Sequence, residues 1–290
     1  STPLYSSAAS DVYKRQVACA VNIILDYLFI GFFHLGASGA ALGTTLSQAC
    51  SVLFALIAIK RKQTGLSLSG DCFRPQKKPL GKILNIGIPV ALQDGFIQIA
   101  FIIITIIANR RGLNAAAAVG IVEKIISFLF LIPSSMLSTV SALAAQNIGA
   151  GKYDRAKQTL RYAMMIAIGF GLVVSILIQF IAAPVVGLFT ADAAVILLGA
   201  QYIRGYIWDC IFAGVHFSFS GYFCACGKSG ISFLHNLIAI LCVRIPGVYL
   251  TSKIFPHTLF PMGLATATGS LLSVIICIIA YRWLCEKSGK

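Results

Sequence analysis

The chain has 290 residues, of which 58% are hydrophobic and 11% are charged. Ordinary globular proteins contain about 45–50% and about 25% of these classes, so a soluble fold of this length could not cover its surface with so few charges. The mean hydropathy of +0.87 instead predicts an all-α, polytopic membrane protein. The net charge of +14 does not indicate nucleic-acid binding, because the basic residues occupy short gaps between apolar runs and form no soluble basic face.

Eight apolar stretches reach the roughly 20 residues that a membrane-spanning helix needs. In chain order they cover residues 17–33, 37–59, 83–109, 114–142, 160–189, 194–225, 230–253 and 258–283. Pro89, Pro133 and Pro246 lie within these stretches. Such interruptions either mark moving or binding segments of transporters or are simple packing kinks.

The residue types that metal binding and catalysis require are sparse. Cysteines inside apolar runs are expected to be small buried hydrophobic residues, and Cys224 and Cys226 form a C-x-C without metal-site spacing. Those inside the runs are Cys19, Cys50, Cys210, Cys242 and Cys277. Neither an H-E-x-x-H motif nor a P-loop occurs in the sequence, so we expect no metal, no cofactor and no ATP-driven work.

The basic residues between the spans predict the orientation. Fifteen lie on alternate loops and the C-terminal tail, and three lie on the opposite loops. The positive-inside rule therefore predicts a multi-pass protein of the cell inner (plasma) membrane whose 60–82 connection and C-terminus are cytoplasmic. The fifteen are Lys60, Arg61, Lys62, Arg74, Lys77, Lys78, Lys82, Lys152, Arg155, Lys157, Arg161, Lys228, Arg282, Lys287 and Lys290; the three are Arg110, Arg111 and Lys253.

The first sixteen residues, STPLYSSAASDVYKRQ, differ from the rest of the chain. They are polar and lack the apolar region of a signal peptide. They resemble translated sequencing-adapter remnants, so we expect residues 1–16 to be non-native and the genuine protein to start upstream.

Charged residues inside the spans are costly and indicate function unless they form ion pairs. A rise of about 1.5 Å per residue places Asp94 about 18 Å along its helix, near the midplane, with Asp209 and Arg244 at comparable depth and Glu123 at about 13 Å. We interpret Asp94, Glu123 and Asp209 as candidates for proton or cation binding, with structural ion pairs as the alternative. Substrate-contacting or structural polar residues are Gln93, Gln98, Lys124, Arg204 and Arg244.

A second polar group lies in the first span. Asn22 and Asp26 share a helical face through their i, i+4 spacing. The next span opens with small residues that allow close helix approach, and Thr44 in it could offer a hydroxyl to that face. The residues alone favour a satisfied polar cluster and a cation site about equally.

Several stretches resemble the multidrug and toxic compound extrusion (MATE) family of efflux transporters. NIILDYLFI and the following GASGAALGTTLSQ resemble its fifth and sixth helices, and IGIPVALQDG at 86–95 resembles the start of the seventh. Residues 115–158, with the loop QNIGAGKYDRAKQ, resemble the eighth helix and the loop after it, and GYFCACGKS at 221–229 resembles the end of the tenth.

The resemblance implies twelve helices in two six-helix lobes with a cavity between them. Residues 17–59 would be the last two helices of the first lobe, 60–82 the cytoplasmic linker and 83–290 the second lobe. In some relatives an Asn and an Asp on the fifth helix and a Thr on the sixth bind a proton or sodium ion, and Asn22, Asp26 and Thr44 match them. The first-helix Asp of that site is absent from this chain.

We interpret the chain as a secondary antiporter and not as an enzyme. It would export cationic or amphipathic organic compounds across the lipid bilayer in exchange for H⁺ or Na⁺. We expect it to be monomeric and, as a fragment, inactive alone. Phe96, Tyr206, Trp208 and Phe217 could contact flat organic cations. One alternative is a lipid-linked oligosaccharide flippase, with Arg204 and Arg244 binding phosphate. The other is an integral-membrane lipid enzyme, whose acid cluster the sequence lacks.

Overall fold

The computed structural model describes residues 19–61 and 77–287, and all regular structure in these two ranges is helical. The all-α prediction is therefore confirmed for the described part of the chain. Residues 1–16 and most of the predicted 60–82 linker lie outside it. The chain divides into two compact units, Ser1–Pro75 and Gln76–Lys290, which are taken in turn.

The first unit contains two helices among its described residues. Helix α1 covers Cys19–Phe32 and ends in a π-helical segment, Tyr27–Phe32; helix α2 covers Gly36–Arg61. Small residues of α2 lie directly against α1, because a Cβ at Gly39 would stand 3.1 Å from the backbone of Phe29. Such close backbone approach is the usual role of small residues between membrane helices.

The second unit contains nine helices in its described part. They are α3 (Lys77–Asn109), α4 (Leu113–Leu129), α5 (Leu131–Gly149), α6 (Tyr153–Gly187), α7 (Ala193–Tyr206), α8 (Asp209–Ala225), α9 (Ser229–Ala239), α10 (Ile245–Ile254) and α11 (Phe260–Lys287), with a π-helical segment, Ile240–Arg244, joining α9 to α10.

Five helical stretches among the described residues are long and apolar enough to cross a membrane: Ile83–Asn109, Leu113–Gly149, Tyr153–Gly187, Ser229–Ile254 and Phe260–Leu284. Each corresponds to one predicted span, and the chain is a multi-pass membrane protein. The predicted spans 17–33 and 37–59 correspond to α1 and α2. The predicted span 194–225 contains two shorter helices, α7 and α8.

The break between α4 and α5 has a local cause in the sequence. Pro133 lies one turn after the break and has no N–H to give to the carbonyl of Leu129, four residues earlier. Phe130 caps the end of α4, and its backbone N–H donates to the carbonyl of Ile126 at 2.8 Å. Pro133 therefore accounts for the interruption of the helix at Phe130.

The break between α7 and α8 contains no proline and is supported by side chains of α6. Gln179 Nε2 donates to the carbonyl of Arg204 at 3.1 Å, and Ser175 Oγ donates to the carbonyl of Ile207 at 3.1 Å. These bonds serve carbonyls at the helix break, where groups in a membrane interior need protein partners. As a result α8 begins at Asp209, and a carboxylate at a helix N-terminus is favoured by the helix dipole.

The crossing of α7 and α11 depends on two glycines. A Cβ at Gly205 would overlap the carbonyl oxygen of Phe260, and a Cβ at Gly263 would overlap the carbonyl oxygen of Tyr202. The backbones are therefore in direct contact, and this contact holds Tyr202 and Tyr206 in the buried core. No larger residue fits either position.

We expect Gly205→Ala to lower the free energy of unfolding by about 1–3 kcal/mol, the usual cost of overpacking. Thermal unfolding of the purified chain in detergent would measure it. The matched control is Gly169→Ala, since a Cβ there meets nothing within 4 Å and alanine in a helix interior is favoured by roughly 0.5–1 kcal/mol. Equal unfolding temperatures for the two variants would contradict the crossing described here.

Candidate functional site

A cavity of about 340 Å³ lies inside the second unit. Residues of α3, α4, α5, α7, α8, α9, α11 and the π-helical segment line it, so it is formed by most of this unit. Its walls combine aromatic rings with polar side chains. The polar lining residues are Asp94, Gln98, Ser127, Ser134, Tyr206, Asp209, His216, Asn236, Arg244 and Ser270.

A buried ion pair forms one wall of this cavity. Arg244 Nη2 lies 3.1 Å from Asp209 Oδ2 and donates to the hydroxyl of Tyr206 at 2.6 Å. The guanidinium carbon also lies 5.5 Å from the ring centroid of Phe101, a cation–π distance. Because both charged side chains are buried, each needs the other, and their charges cancel at this wall.

Local helix geometry brings the pair together. Asp209 is the first residue of α8, and Arg244 is the last residue of the π-helical segment. Gly269 of α11 lies against Arg244, since a Cβ there would stand 2.9 Å from the arginine Cβ. Asp209, a candidate for cation binding with a structural ion pair as the alternative, thus forms an ion pair with a residue of another helical segment.

Glu123 of α4 has a different partner. The hydroxyl of Thr105 on α3 lies 3.3 Å from both carboxylate oxygens of Glu123 and can donate to this carboxylate in place of its 2.9 Å bond to the carbonyl of Phe101. Glu123 is half-buried, whereas its neighbour Lys124 is exposed, as expected for a lysine that extends outward. Neither residue lines the cavity described above.

The polar residues of α3 divide between two environments. Asp94 and Gln98 both line the cavity, as their shared helical face predicts. Gln93 is only 1% exposed, and its side-chain nitrogen and oxygen have no hydrogen-bond partner among the described residues. Arg204 of α7 is outside the cavity lining, and its Nε is likewise buried without a partner in the described ranges.

The polar group of the first unit differs in detail from the prediction. Asn22 Nδ2 and Asp26 Oδ1 are buried and have no hydrogen-bond partner within residues 19–61 or 77–287. Gly43 faces the Asp26 carboxylate, because a Cβ there would overlap Oδ1. Thr44, the neighbouring residue, is exposed and donates its hydroxyl to the carbonyl of Ala40 at 2.9 Å. The close approach to Asp26 is thus made by Gly43.

The sequence analysis missed three polar side chains of α8 and α9, because it started from charged residues and their immediate neighbours. His216 and Asn236 are buried in the cavity wall. His235 is buried between helices, with Nε2 2.9 Å from Ser220 Oγ and Nδ1 2.5 Å from Ser273 Oγ. A search for any polar residue inside an apolar run would have identified all three.

The four aromatic candidates lie in different environments. Tyr206 and Phe217 line the cavity, whereas Phe96 packs on Phe233 with ring centroids 5.8 Å apart. Trp208 packs against the hydrophobic core formed by α4, α6 and α7. Only the first two are therefore placed to contact a molecule in this cavity.

The cysteines occupy mixed environments. Cys210, Cys224 and Cys277 are buried as expected, but Cys19 and Cys242 are exposed, and the seven cysteines whose side chains the structure describes are free thiols. An apolar run at membrane depth also has lipid-facing positions, which explains the exposed ones. In the described part of the chain, histidine, cysteine and acidic residues form no group of three that could hold a metal ion.

Residues 89–250, more than half of the chain, match the family model described as MatE. The chain is 29% identical to the multidrug export protein MepA of Staphylococcus aureus (strain N315) over 264 residues, which cover 90% of this chain and 57% of that protein. For MepA of Staphylococcus haemolyticus (strain JCSC1435), the identity is 29% over 239 residues, with 82% and 52% covered. The chain thus spans little more than half the length of these relatives.

Solved structures show the same fold. The crystal structure of MATE in the straight conformation has a TM-score of 0.85 and 21% identity, and the match covers 95% of this chain and 62% of that one. A MOP superfamily transporter from Pyrococcus furiosus has a TM-score of 0.86 and 21% identity, with 94% and 62% covered. At this identity the likeness concerns the fold.

We expect Arg244→Met to lower the free energy of unfolding by about 3–5 kcal/mol, because it leaves Asp209 buried without its counter-charge. The double variant Asp209→Asn with Arg244→Met removes both charges and should recover most of this loss. A double-mutant cycle by thermal unfolding would measure the coupling, with the exposed Arg282→Met as control. Additive effects of the two single changes would show that the pair does not stabilise the fold.

Proposed function

The chain belongs to the MatE family of efflux transporters, and from this premise we propose that it exports cationic or amphipathic organic compounds in exchange for H⁺ or Na⁺. Its relatives in this family are named as multidrug export proteins. The family supports multidrug efflux as the general activity. The chemistry of the second-unit cavity supports the organic cation as its cargo.

The charge of the cavity lining carries this proposal. Its charged residues are Asp94, Asp209 and Arg244, and the last two neutralise each other through the 3.1 Å ion pair. One carboxylate, that of Asp94, therefore remains without a counter-charge in the lining. A cavity with one net negative charge and the rings of Phe101, Phe130, Tyr206 and Phe217 suits a flat organic cation.

Coupling follows from competition for carboxylates. A proton or sodium ion that binds Asp94 would cancel the charge that holds the organic cation, so binding of one would weaken binding of the other. The buried Asp26 of the first unit, with Asn22 beside it on the helix, would bind a second coupling ion. Glu123, held by Thr105, is the third acid in this scheme. Alternating access of two lobes would then convert the competition into transport.

Topology in the membrane forms part of the proposal. Eight spanning segments, with α7 and α8 together forming one of them, would place the 60–82 connection and the C-terminus in the cytoplasm. This follows from the fifteen basic residues on that side against three on the other and from the positive-inside rule. The protein would act as a single subunit in the plasma membrane.

The lipid-linked oligosaccharide flippase is less well supported by the site. That function needs arginines whose charge is available for phosphate. Arg244 is bonded to Asp209 and Tyr206, and Arg204 does not line the cavity. The cavity therefore offers no uncompensated positive charge to a phosphate group.

We expect Asp94→Asn to weaken binding of tetraphenylphosphonium to the purified chain by about tenfold, the equivalent of 1.4 kcal/mol, because it removes the only uncompensated charge of the lining. In the unmodified chain, acid pH or high sodium should weaken binding as well, and in the variant neither should have further effect. Equilibrium binding in nanodiscs is the appropriate measurement. This measurement requires only an intact cavity. It does not require transport, and we expect the 290-residue chain alone not to transport.

The control is Asp154→Asn, the same substitution at an exposed residue in the first turn of α6. Its binding curve and its pH dependence should match those of the unmodified chain. Cation binding that is equally sensitive to pH and sodium after Asp94→Asn would exclude Asp94 as the coupling residue.

A further inference from the structure

A single arginine joins two connections at one end of the second unit. Arg111, in the α3–α4 connection, donates through Nη2 to the carbonyls of Phe255 and Pro256 at 2.9 and 2.6 Å. The same nitrogen lies 3.2 Å from the carbonyl of Thr258, and all three acceptors belong to the α10–α11 connection. Because carbonyls carry no net charge, these bonds hold the two connections together and leave the positive charge of Arg111 uncompensated.

This contact brings together three basic residues that are far apart in the sequence. Arg110 directly precedes Arg111, and Lys253 precedes Phe255 by two residues. Lys253 Nζ lies 4.7 Å from the ring centroid of Tyr249, and Arg110 is close enough to act electrostatically on the same tyrosine. The three basic residues of the less basic set of loops therefore lie at one place.

The positive charge at this place has no counter-charge. Arg110, Arg111 and Lys253 form no ion pair with any carboxylate that the structure describes. Asp192, the acid of the neighbouring α6–α7 connection, accepts the backbone N–H of Ala194 at 2.8 Å and caps α7. Burial lowers the pKa of the Arg111 guanidinium, and no described carboxylate opposes that effect. An anion bound here would therefore gain from all three charges.

A cavity of about 380 Å³ lies beside Arg111. The first turn of α4 forms part of its wall together with Pro256 and Leu259, and Asn114 contributes an amide. Gly112, the cap of α4, has no side chain to bond the first backbone N–H groups. Nη1 of Arg111 is buried and has no hydrogen-bond partner in the part of the chain that the structure describes. These donors suit a negatively charged group rich in oxygen.

Exposed apolar side chains surround the three cations. Leu113 is 85% exposed, Ile254 is 64% exposed and Phe255 is 46% exposed, and each lies within two residues of Arg111 or Lys253. Membrane-spanning stretches begin or end at this level, so these side chains lie where a bilayer passes from hydrocarbon to headgroups. A ligand bound here meets cations and apolar side chains together. An acidic phospholipid, with its phosphate and its acyl chains, fits both.

We propose that this end of the second unit binds an acidic phospholipid, with Arg110 and Lys253 contacting the phosphate and the glycerol headgroup entering the cavity beside Arg111. Under the proposed topology the lipid belongs to the outer leaflet. The headgroup cavity shares no lining residue with the cation-binding cavity. Binding of the lipid is therefore independent of the proposed function and requires no transport.

Native mass spectrometry of the purified chain in detergent tests the binding. The chain is given equal amounts of phosphatidylglycerol and phosphatidylcholine with the same acyl chains. The first bound lipid should be phosphatidylglycerol, with an affinity about 10- to 30-fold higher than that of phosphatidylcholine, because each of two basic residues at a lipid surface contributes roughly fivefold. Equal affinities of the two lipids would overturn the proposal.

A double variant assigns this preference to the described place. Arg110→Gln with Lys253→Gln should abolish the preference for phosphatidylglycerol and leave the affinity for phosphatidylcholine unchanged. The matched control is Lys152→Gln with Arg155→Gln, which removes one lysine and one arginine from exposed positions at the other end of the unit. This control should keep the affinity for the first phosphatidylglycerol. An unchanged preference in the first variant, or an equal loss in both, overturns the proposal.

Two further measurements complete the test. Lys253→Gln alone, which should cost roughly fivefold in affinity, replaces the double variant if that variant does not fold. Glycerol phosphate, which carries the phosphate ester without acyl chains, should not displace phosphatidylglycerol at equal concentration. Displacement under that condition would assign the site to soluble phosphate esters and overturn the assignment to a lipid.

Discussion

The ion pair between Asp209 and Arg244 is the constraint on which the second unit depends. A buried charge at membrane depth is costly unless it has a partner, and each partner of this pair lies at an irregularity in a helix. Asp209 lies directly after the break between α7 and α8, and Arg244 ends the π-helical segment between α9 and α10. Gln179 and Ser175 of α6 bond carbonyls at the break, while Gly269 lets α11 lie close to Arg244. The pair, its supporting hydrogen bonds and the glycine contacts form one connected arrangement.

Mutual neutralisation within this arrangement determines the chemistry of the cavity. Six charged side chains of the second-unit spans are candidates for function by sequence: Asp94, Glu123, Lys124, Arg204, Asp209 and Arg244. Two of them compensate each other, and Glu123 is bonded by Thr105 away from the lining. Asp94 is left as the acid that a molecule in the cavity meets. The net negative charge of the cavity lining thus follows from which side chains form ion pairs. It does not follow from the net charge of +14, which comes largely from basic residues in the loops.

Much of the architecture could be predicted from the sequence, because hydrophobic length is a direct consequence of bilayer thickness. The break at Phe130 also follows from Pro133. The break at Ile207 has no local signal, since its carbonyls are bonded by residues of α6 that lie about thirty positions earlier in the chain. Depth arithmetic placed Asp209 and Arg244 at comparable depth, but it could not reveal that Arg244 also bonds Tyr206 or that Asn236 lies in the cavity wall, because both depend on how the helices pack. Likewise, the sequence pattern favoured Thr44 because it has a hydroxyl, whereas helix packing places Gly43, which has no side chain, against Asp26.

The π-helical segments have a consequence for motion. Both units contain one, and each adjoins a charged residue faced by a glycine of a later helix: Asp26 with Gly43, and Arg244 with Gly269. A π-helical turn holds one residue more than an α-helical turn. If the π-helical turn moved along the helix by one turn, the side chains in between would rotate by about 100° about the helix axis, while the two ends of the helix stayed in place. The polarity of a wall could then change through local rotation of a few residues, with no sliding of whole helices through the lipid.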